Sequence, residues 1–140
     1  MNIREVMTSN PECVSPGDSI QSAARIMRDC DTGAVPVVDD GRPVGMLTDR
    51  DIVIRAVADG QLNRPIREIV TTGVVCATPD MSTREAEELM SVHQIRRLPV
   101  VENERIVGIV SLGDIAVKEA KDKRTGDTLE RISEGVKERG

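Results

Sequence analysis

The chain repeats itself. Pro36 and Pro99 lie 99 − 36, or 63, residues apart, and the same offset relates Gly45 to Gly108 and Asp51 to Asp114. It also relates Arg4-Glu5 to Arg67-Glu68, Cys13 to Cys76, Pro16 to Pro79, Ala23 to Ala86, Met27 to Met90 and Val37-Val38 to Val100-Val101, without a gap. Whatever the first copy folds into, the second must fold into again. Two copies of one supersecondary unit then bury their apolar faces against each other. One repeat is expected over residues 1–60, a second over 61–121, and a tail over 122–140. A chain of 140 residues makes one compact domain or two halves sharing a core. At this length burial alone suffices, without a disulfide staple.

Each copy reads alike. An N-terminal turn (residues 3–7 and 66–70) leads to a short extended piece at residues 12–14 or 74–76. Ser15-Pro16 and Thr78-Pro79 break it. A helix follows. Asp18, with Gln21 three residues on, is the expected N-cap in copy one; Ser82 and Glu85 form a capping-box pattern in copy two. Ile20, Ala23, Ala24 and Met27 give one apolar stripe, and Ala86, Leu89 and Met90 the other. Strands are expected at residues 34–38 and 98–101, then at 44–47 and 106–110, joined by turns at 39–41 and 102–104. A last helix covers 51–58 or 114–120. The order β-α-β-β-α, taken twice, is an α+β fold. In the tail, Leu129, Ile132 and Val136 have helical spacing, which predicts a short amphipathic helix over residues 128–137 that caps the domain or a dimer surface.

Composition excludes several functions. With no Phe, Tyr or Trp, no base can stack on an aromatic platform. A purine would have to lie between aliphatic side chains and backbone. The net charge of -5 disfavours nucleic acid as a partner. No apolar run is long enough for a membrane span, and the first residues carry no apolar leader, so a cytoplasmic location is expected. Cys13, Cys30, Cys76 and His93 show no Cys-x-x-Cys spacing. The cysteines read as small hydrophobes, and no metal is expected. No nucleophile–base pair stands out, so the chain does not read as an enzyme.

The second strand of each copy ends in Gly-x-x-Thr/Ser-x-x-Asp: Gly45, Thr48 and Asp51, then Gly108, Ser111 and Asp114. Taken alone, each is a capping box with a short acid. The same groups suit a nucleoside. A hydroxyl beside free N–H groups at a helix start suits a phosphate, and a carboxylate one turn on can accept both hydroxyls of a ribose diol. The glycine permits close backbone approach.

Each motif is paired with a hydrophobic-Pro-Val step, Val35-Pro36-Val37 and Leu98-Pro99-Val100. With the 63-residue repeat and the element order, residues 1–120 resemble a tandem pair of CBS (cystathionine beta-synthase) domains, a Bateman module. The runs at residues 45–52 and 93–100 look like those of stand-alone prokaryotic two-CBS proteins. The resemblance implies a regulatory, non-catalytic module with two pseudo-symmetric clefts between its copies. Each would hold an adenosine ligand such as AMP, ADP, ATP or S-adenosylmethionine, with no cofactor required. It also implies a homodimer and a protein effector that reads the ligand state. The alternative is an interaction dimer whose clefts stay empty.

Carried over by position, Asp51 and Asp114 would take ribose hydroxyls, and Thr48 and Ser111 would face phosphate or ribose. Ser15 and Thr78 sit where the family's first strand meets the nucleotide. Cys13, Val14, Cys76 and Ala77 would line the adenine, with Val37 and Val100 packed nearby. The copies differ at one informative place: Arg96-Arg97 aligns with Gly33-Ala34. A basic residue here meets phosphate in family members, so copy two gains an anchor that copy one lacks. Arg50, aligned with Gly113, is a candidate to supply charge across the cleft. The expectation is a stronger anionic-nucleotide site at Asp114.

Overall fold

The protein is described here by a computed structural model, which describes the backbone of residues 1–134 and the side chains of residues 1–123. The chain forms β1 (Thr8–Ser9), α1 (Ile20–Asp29), β2 (Ala34–Asp39), β3 (Arg42–Thr48), α2 (Asp49–Ile52), β4 (Thr71–Thr72), α3 (Thr83–His93), β5 (Arg97–Glu102), β6 (Arg105–Ser111) and α4 (Leu112–Glu134). Short 3-10 turns, Ile3–Glu5 and Ile66–Glu68, open the two repeats, and a π turn, Val53–Val57, follows α2. The expected α+β fold is present.

The strands form two three-stranded antiparallel sheets, ordered β2-β3-β4 and β1-β6-β5. Each is a hairpin of one repeat completed by a two-residue edge strand from the other. Pro36 and Pro99 sit in β2 and β5, the opposite edges. An edge strand tolerates proline because its missing N–H is not needed by a neighbour. Val14 runs beside Pro36: its N–H donates to the Pro36 carbonyl at 3.0 Å, and its own carbonyl accepts from Val38 at 2.8 Å.

The exchange between repeats is reciprocal. The Ile3 N–H donates to the Met81 carbonyl at 2.8 Å, and the Ile66 N–H to the Asp18 carbonyl at 3.0 Å. Arg4 and Arg67 repeat the pattern on Pro79 and Pro16, at 3.0 and 2.9 Å. As a result Ile3 is buried with Ala77, Ala86, Met90, Leu98, Val100, Val110 and Ile115 of the second repeat. Ile66 and Ile69 are buried with Val14, Ile20, Ala23, Val35, Val37 and Leu47 of the first. With no aromatic rings, both cores are close-packed aliphatic clusters, each Ile or Leu contributing about 1.5–3 kcal/mol by burial.

Three local expectations are corrected. Ser19, not Asp18, caps α1, accepting from the Ser22 N–H at 3.1 Å. The Asp18 carboxylate instead accepts from the Ser15 N–H at 2.8 Å, closing the Pro16-Gly17 turn. The helix expected over residues 51–58 is a four-residue α2 followed by the π turn, which buries Ala56 and leaves Val53, Ile54 and Val57 exposed. The helices expected over 114–120 and 128–137 are not separate, since α4 runs unbroken from Leu112 to Glu134. Of the two glycines on that path, Gly113 lies in the first turn and Gly126, in the interior, costs a helix only about 1 kcal/mol. Residues 135–137 of the expected tail helix lie outside the described residues.

Candidate functional site

The motif at the end of β3 makes a complete capping box. The Thr48 hydroxyl accepts from the Asp51 N–H at 3.1 Å, and the Asp51 carboxylate accepts from the Thr48 N–H at 3.0 Å. Arg55 adds an ion pair one turn on, at 4.0 Å, and the Asp51 side chain is 18% exposed. At the end of β6 only half of this arrangement exists. The Ser111 hydroxyl accepts from the Asp114 N–H at 3.0 Å. Among the described residues nothing engages the Asp114 carboxylate.

Asp114 faces a cavity of about 540 Å³ that both repeats line. The second repeat supplies Arg97, Ile109, Ser111 and Asp114. The first supplies Thr8 and Asn10 to Glu12 around β1, Ile26 and Cys30 to Gly33 at the end of α1, and Ala34 to Pro36 of β2. The volume is that of a small-molecule site, about 300–1,000 Å³. Arg97 is half-buried and makes no ion pair among the described residues. Its guanidinium lies along Gly33. A Cβ there would come within 3.5 Å of Arg97 Nη2 and 3.2 Å of Asp49 Oδ2.

Of the residues singled out in the sequence, this cavity gathers Arg97, Ser111 and Asp114. Arg96 is exposed just before β5, and its carbonyl accepts from the Leu112 N–H at 2.8 Å. Arg50 is exposed on α2. Val14, Val37, Ala77 and Val100 are buried in the two cores, joined by parallel bridges Val14 to Val37 and Ala77 to Val100. Ser15 and Thr78 are exposed. Cys13 and Cys76 are half-buried, and burial pushes both thiols above the ordinary range, with Glu12 adding to the effect at Cys13. The Cys13 thiol donates to the Pro11 carbonyl at 3.2 Å.

Gly45 and Gly108 permit a close approach, but of the exchanged edge strands. A Cβ on Gly45 would sit 2.9 Å from the Thr71 carbonyl oxygen, and one on Gly108 3.0 Å from that of Thr8. The sequence reading missed Glu12, Cys30, Asp31 and Thr32, which line one cavity with Asp114 because β1 of the first repeat pairs with β6. The available signal was the Gly33-Ala34 position, used there only as a contrast to Arg96-Arg97. Among the described residues no three His, Cys, Asp or Glu side chains are grouped to hold a metal ion. No described helix is long and apolar enough to cross a membrane.

Comparison with known proteins agrees with this fold. The family model of the CBS domain matches residues 3–57 and again 66–120. The CBS domain-containing protein YhcV of Bacillus subtilis is 44% identical over 133 residues, covering 94% of this chain and 95% of that protein. The crystal structure of Hypoxic Response Protein I with two coordinated zinc ions has a TM-score of 0.76 at 38% identity, over 83% of this chain and 97% of that one. The CBS domain pair of protein MJ0100, solved in complex with 5′-methylthioadenosine and S-adenosyl-L-methionine, has a TM-score of 0.79 at 30% identity, over 87% and 98%.

Proposed function

The chain belongs to the CBS-domain family, as a tandem pair, and from that premise we propose that it is a regulatory module. It holds an adenosine ligand in the cavity between its repeats and passes the ligand's presence to a partner. One observation carries this reading. Asp114, whose carboxylate nothing engages among the described residues, and Arg97, whose guanidinium makes no ion pair among them, line a single cavity with Ser111. A ribose diol donating to Asp114 makes two charge-assisted hydrogen bonds, each contributing about 1.5–3 kcal/mol. The aliphatic walls, Ile26, Val35, Pro36 and Ile109, suit an adenine face where no aromatic ring is available. That the MJ0100 pair was solved with two adenosine compounds supports the ligand class.

For the pseudo-equivalent cleft the same reading assigns ribose to Asp51 and Thr48, and phosphate to Arg96 or Arg50. Cys13, Val14, Ser15, Cys76, Ala77 and Thr78 enter it through their backbone, because Val14 and Ala77, like Val37 and Val100, commit their side chains to the cores. A ligand touching both repeats shifts their packing by its differential affinity for the two arrangements. The partners in this reading are a second copy of the chain and a protein effector, in the cytoplasm. Ile54 at 53% and Val117 at 68% exposure, 63 residues apart in sequence, offer matching apolar points for the second copy.

The test is direct because the chain has no Trp or Tyr. A band near 260 nm in the purified protein then reports bound nucleoside, and chromatography of the acid-released material identifies it. Calorimetry follows with adenosine, AMP, ADP, ATP and S-adenosylmethionine on the protein and on Asp114→Asn. Binding of at least one of these, weakened tenfold or more by the substitution, is expected. Failure of all five to bind would overturn the reading in favour of an interaction module with empty clefts.

A further inference from the structure

Resting on that reading of the cavity, we propose that it selects an adenosine ligand whose 5′ substituent is uncharged or cationic, and that Glu12 and Asp31 turn polyphosphates away. The wall carries the carboxylates of Glu12, Asp31 and Asp114 against one guanidinium, that of Arg97. The Arg97 Nη2 and the Asp49 Oδ2 both lie near Gly33, at 3.5 and 3.2 Å from where a Cβ would lie. The cavity therefore sets one cation among three carboxylates.

This acidity belongs to one cleft and not to the fold. At the 63-residue offset, Val75 stands for Glu12, Gln94 for Asp31 and Arg96 for Gly33. Gly33 and Arg96 are equivalent in space as well as in sequence. The Gly33 carbonyl accepts from the Asp49 N–H at 2.9 Å, as the Arg96 carbonyl accepts from the Leu112 N–H at 2.8 Å. These differences make one cleft more acidic than its twin, where Arg96 replaces Gly33 and Ala34 replaces Arg97.

The physics gives the direction. Glu12 and Asp31 are exposed, so each acts through a screened field. That field still reaches about 8–10 Å at ordinary ionic strength, enough to span a cavity of this size. A phosphate monoester brings about -1.5 to -2 charges, and a triphosphate more. Adenosine and its neutral thioethers bring none, and a sulfonium is attracted. The diol contact to Asp114 is common to all of them, so the 5′ charge decides between them.

The experiment titrates adenosine, 5′-methylthioadenosine, AMP and ATP without magnesium. The protein and its Glu12→Gln/Asp31→Asn variant are compared, both carrying Asp51→Asn so that the twin cleft does not contribute. Asp31 has φ of +50°, which asparagine adopts readily, so the variant keeps the local backbone. The two uncharged ligands are expected to bind tenfold or more tighter than ATP. The variant is expected to gain several-fold for ATP and to stay within twofold for adenosine. ATP binding as tightly as adenosine, or an ATP-to-adenosine ratio unchanged in the variant, would overturn the selectivity and leave the adenosine site standing. Binding of none of the four to either protein would overturn the adenosine site itself, and the selectivity with it.

Discussion

Thr8 lies opposite Ile109, and Thr71 lies opposite Met46. Each pair joins one repeat to the other, and the two are related by the 63-residue offset. Every three-stranded sheet in the protein is therefore built by both copies. Ile3 and Ile66 follow their strands across and fill the opposite cores.

Neither repeat should fold alone. A fragment of residues 1–63 lacks β4, Ile66 and Ile69, and a fragment of residues 64–140 lacks β1 and Ile3. Each loses buried isoleucine whose removal costs about 2–5 kcal/mol per site, a large part of the stability of a domain this size. Circular dichroism of the separate fragments is expected to show no cooperative melt, with one restored on mixing. A cooperative melt from either fragment by itself would show that the exchange is dispensable.

Gly45→Ala and Gly108→Ala should each destabilise the protein by about 1–3 kcal/mol, the usual cost of overpacking. The new methyl would press on a carbonyl of the exchanged strand, at 2.9 or 3.0 Å, and a backbone cannot step aside as a side chain can. Gly17→Ala, whose methyl would meet only the flexible end of Arg67 at 3.5 Å, is the control. Urea titrations of the three variants decide the matter, and equal midpoints would refute the strand-contact role.

The two motif aspartates should separate stability from binding. Asp51→Ala removes the acceptor of the Thr48 N–H and the partner of Arg55, an expected loss of about 0.5–2 kcal/mol. Asp114→Ala breaks no side-chain contact among the described residues and should stay within about 0.5 kcal/mol of the parent. Adenosine affinity should respond in the opposite order. Paired melting curves and titrations of the two variants check this.

Glu87 on α3 and Glu119 on α4 form a carboxyl pair. Burial, and then the hydrogen bond and charge of Glu119, push the Glu87 carboxyl above the usual glutamate value of 4.5. The Thr83 hydroxyl also donates to Glu119, at 3.4 Å. The folded state therefore holds the Glu87 proton more tightly than the unfolded chain does. The stability this contributes is complete below the ordinary glutamate pKa and is lost as pH rises through the raised folded value. Melting temperatures across that window should fall with pH in the parent and flatten in Glu87→Gln. Parallel profiles would show that the pair does not couple α3 to α4.

One thiol of the three should be fast. Cys13 and Cys76 are half-buried with raised thiol pKa values, whereas Cys30 is exposed on the cavity wall. The thiolate is the reactive form, so a colorimetric thiol reagent near neutral pH should label Cys30 first. Cys30→Ser should remove the fast phase, and a ligand in the cavity should slow it. A fast phase that survives the substitution would mean that another cysteine is the accessible one.

The repeat, the strand order and the helix faces were legible because each is a local pattern. A 63-residue offset needs no geometry. The apolar run Val35–Val38 marks a buried strand, and the stripe Ile20, Ala23, Met27 reports helix burial through its period. Helix ends were less legible. Asp18 and Ser19 are both good caps, and only the Pro16-Gly17 turn decides that Asp18 bonds backward to Ser15. The π turn after α2 left no trace in the pattern of Val53–Val57.

What the sequence determined by itself is the unit and its duplication: the order β-α-β-β-α, the Asp51 and Asp114 motifs, and an aliphatic core with no ring to stack a base. What only the tertiary structure decided is which copy completes which sheet, and whose side chains meet Asp114. Arg96-Arg97 reads in sequence as a phosphate anchor through its alignment with Gly33-Ala34, which leaves the rest of the cleft wall unspecified. Glu12 and Asp31 line one cavity with Arg97 and Asp114 because the edge strands cross between repeats. The charge of a cleft is the sum over groups that are near in space. Coulomb energy depends on that distance and not on separation along the chain.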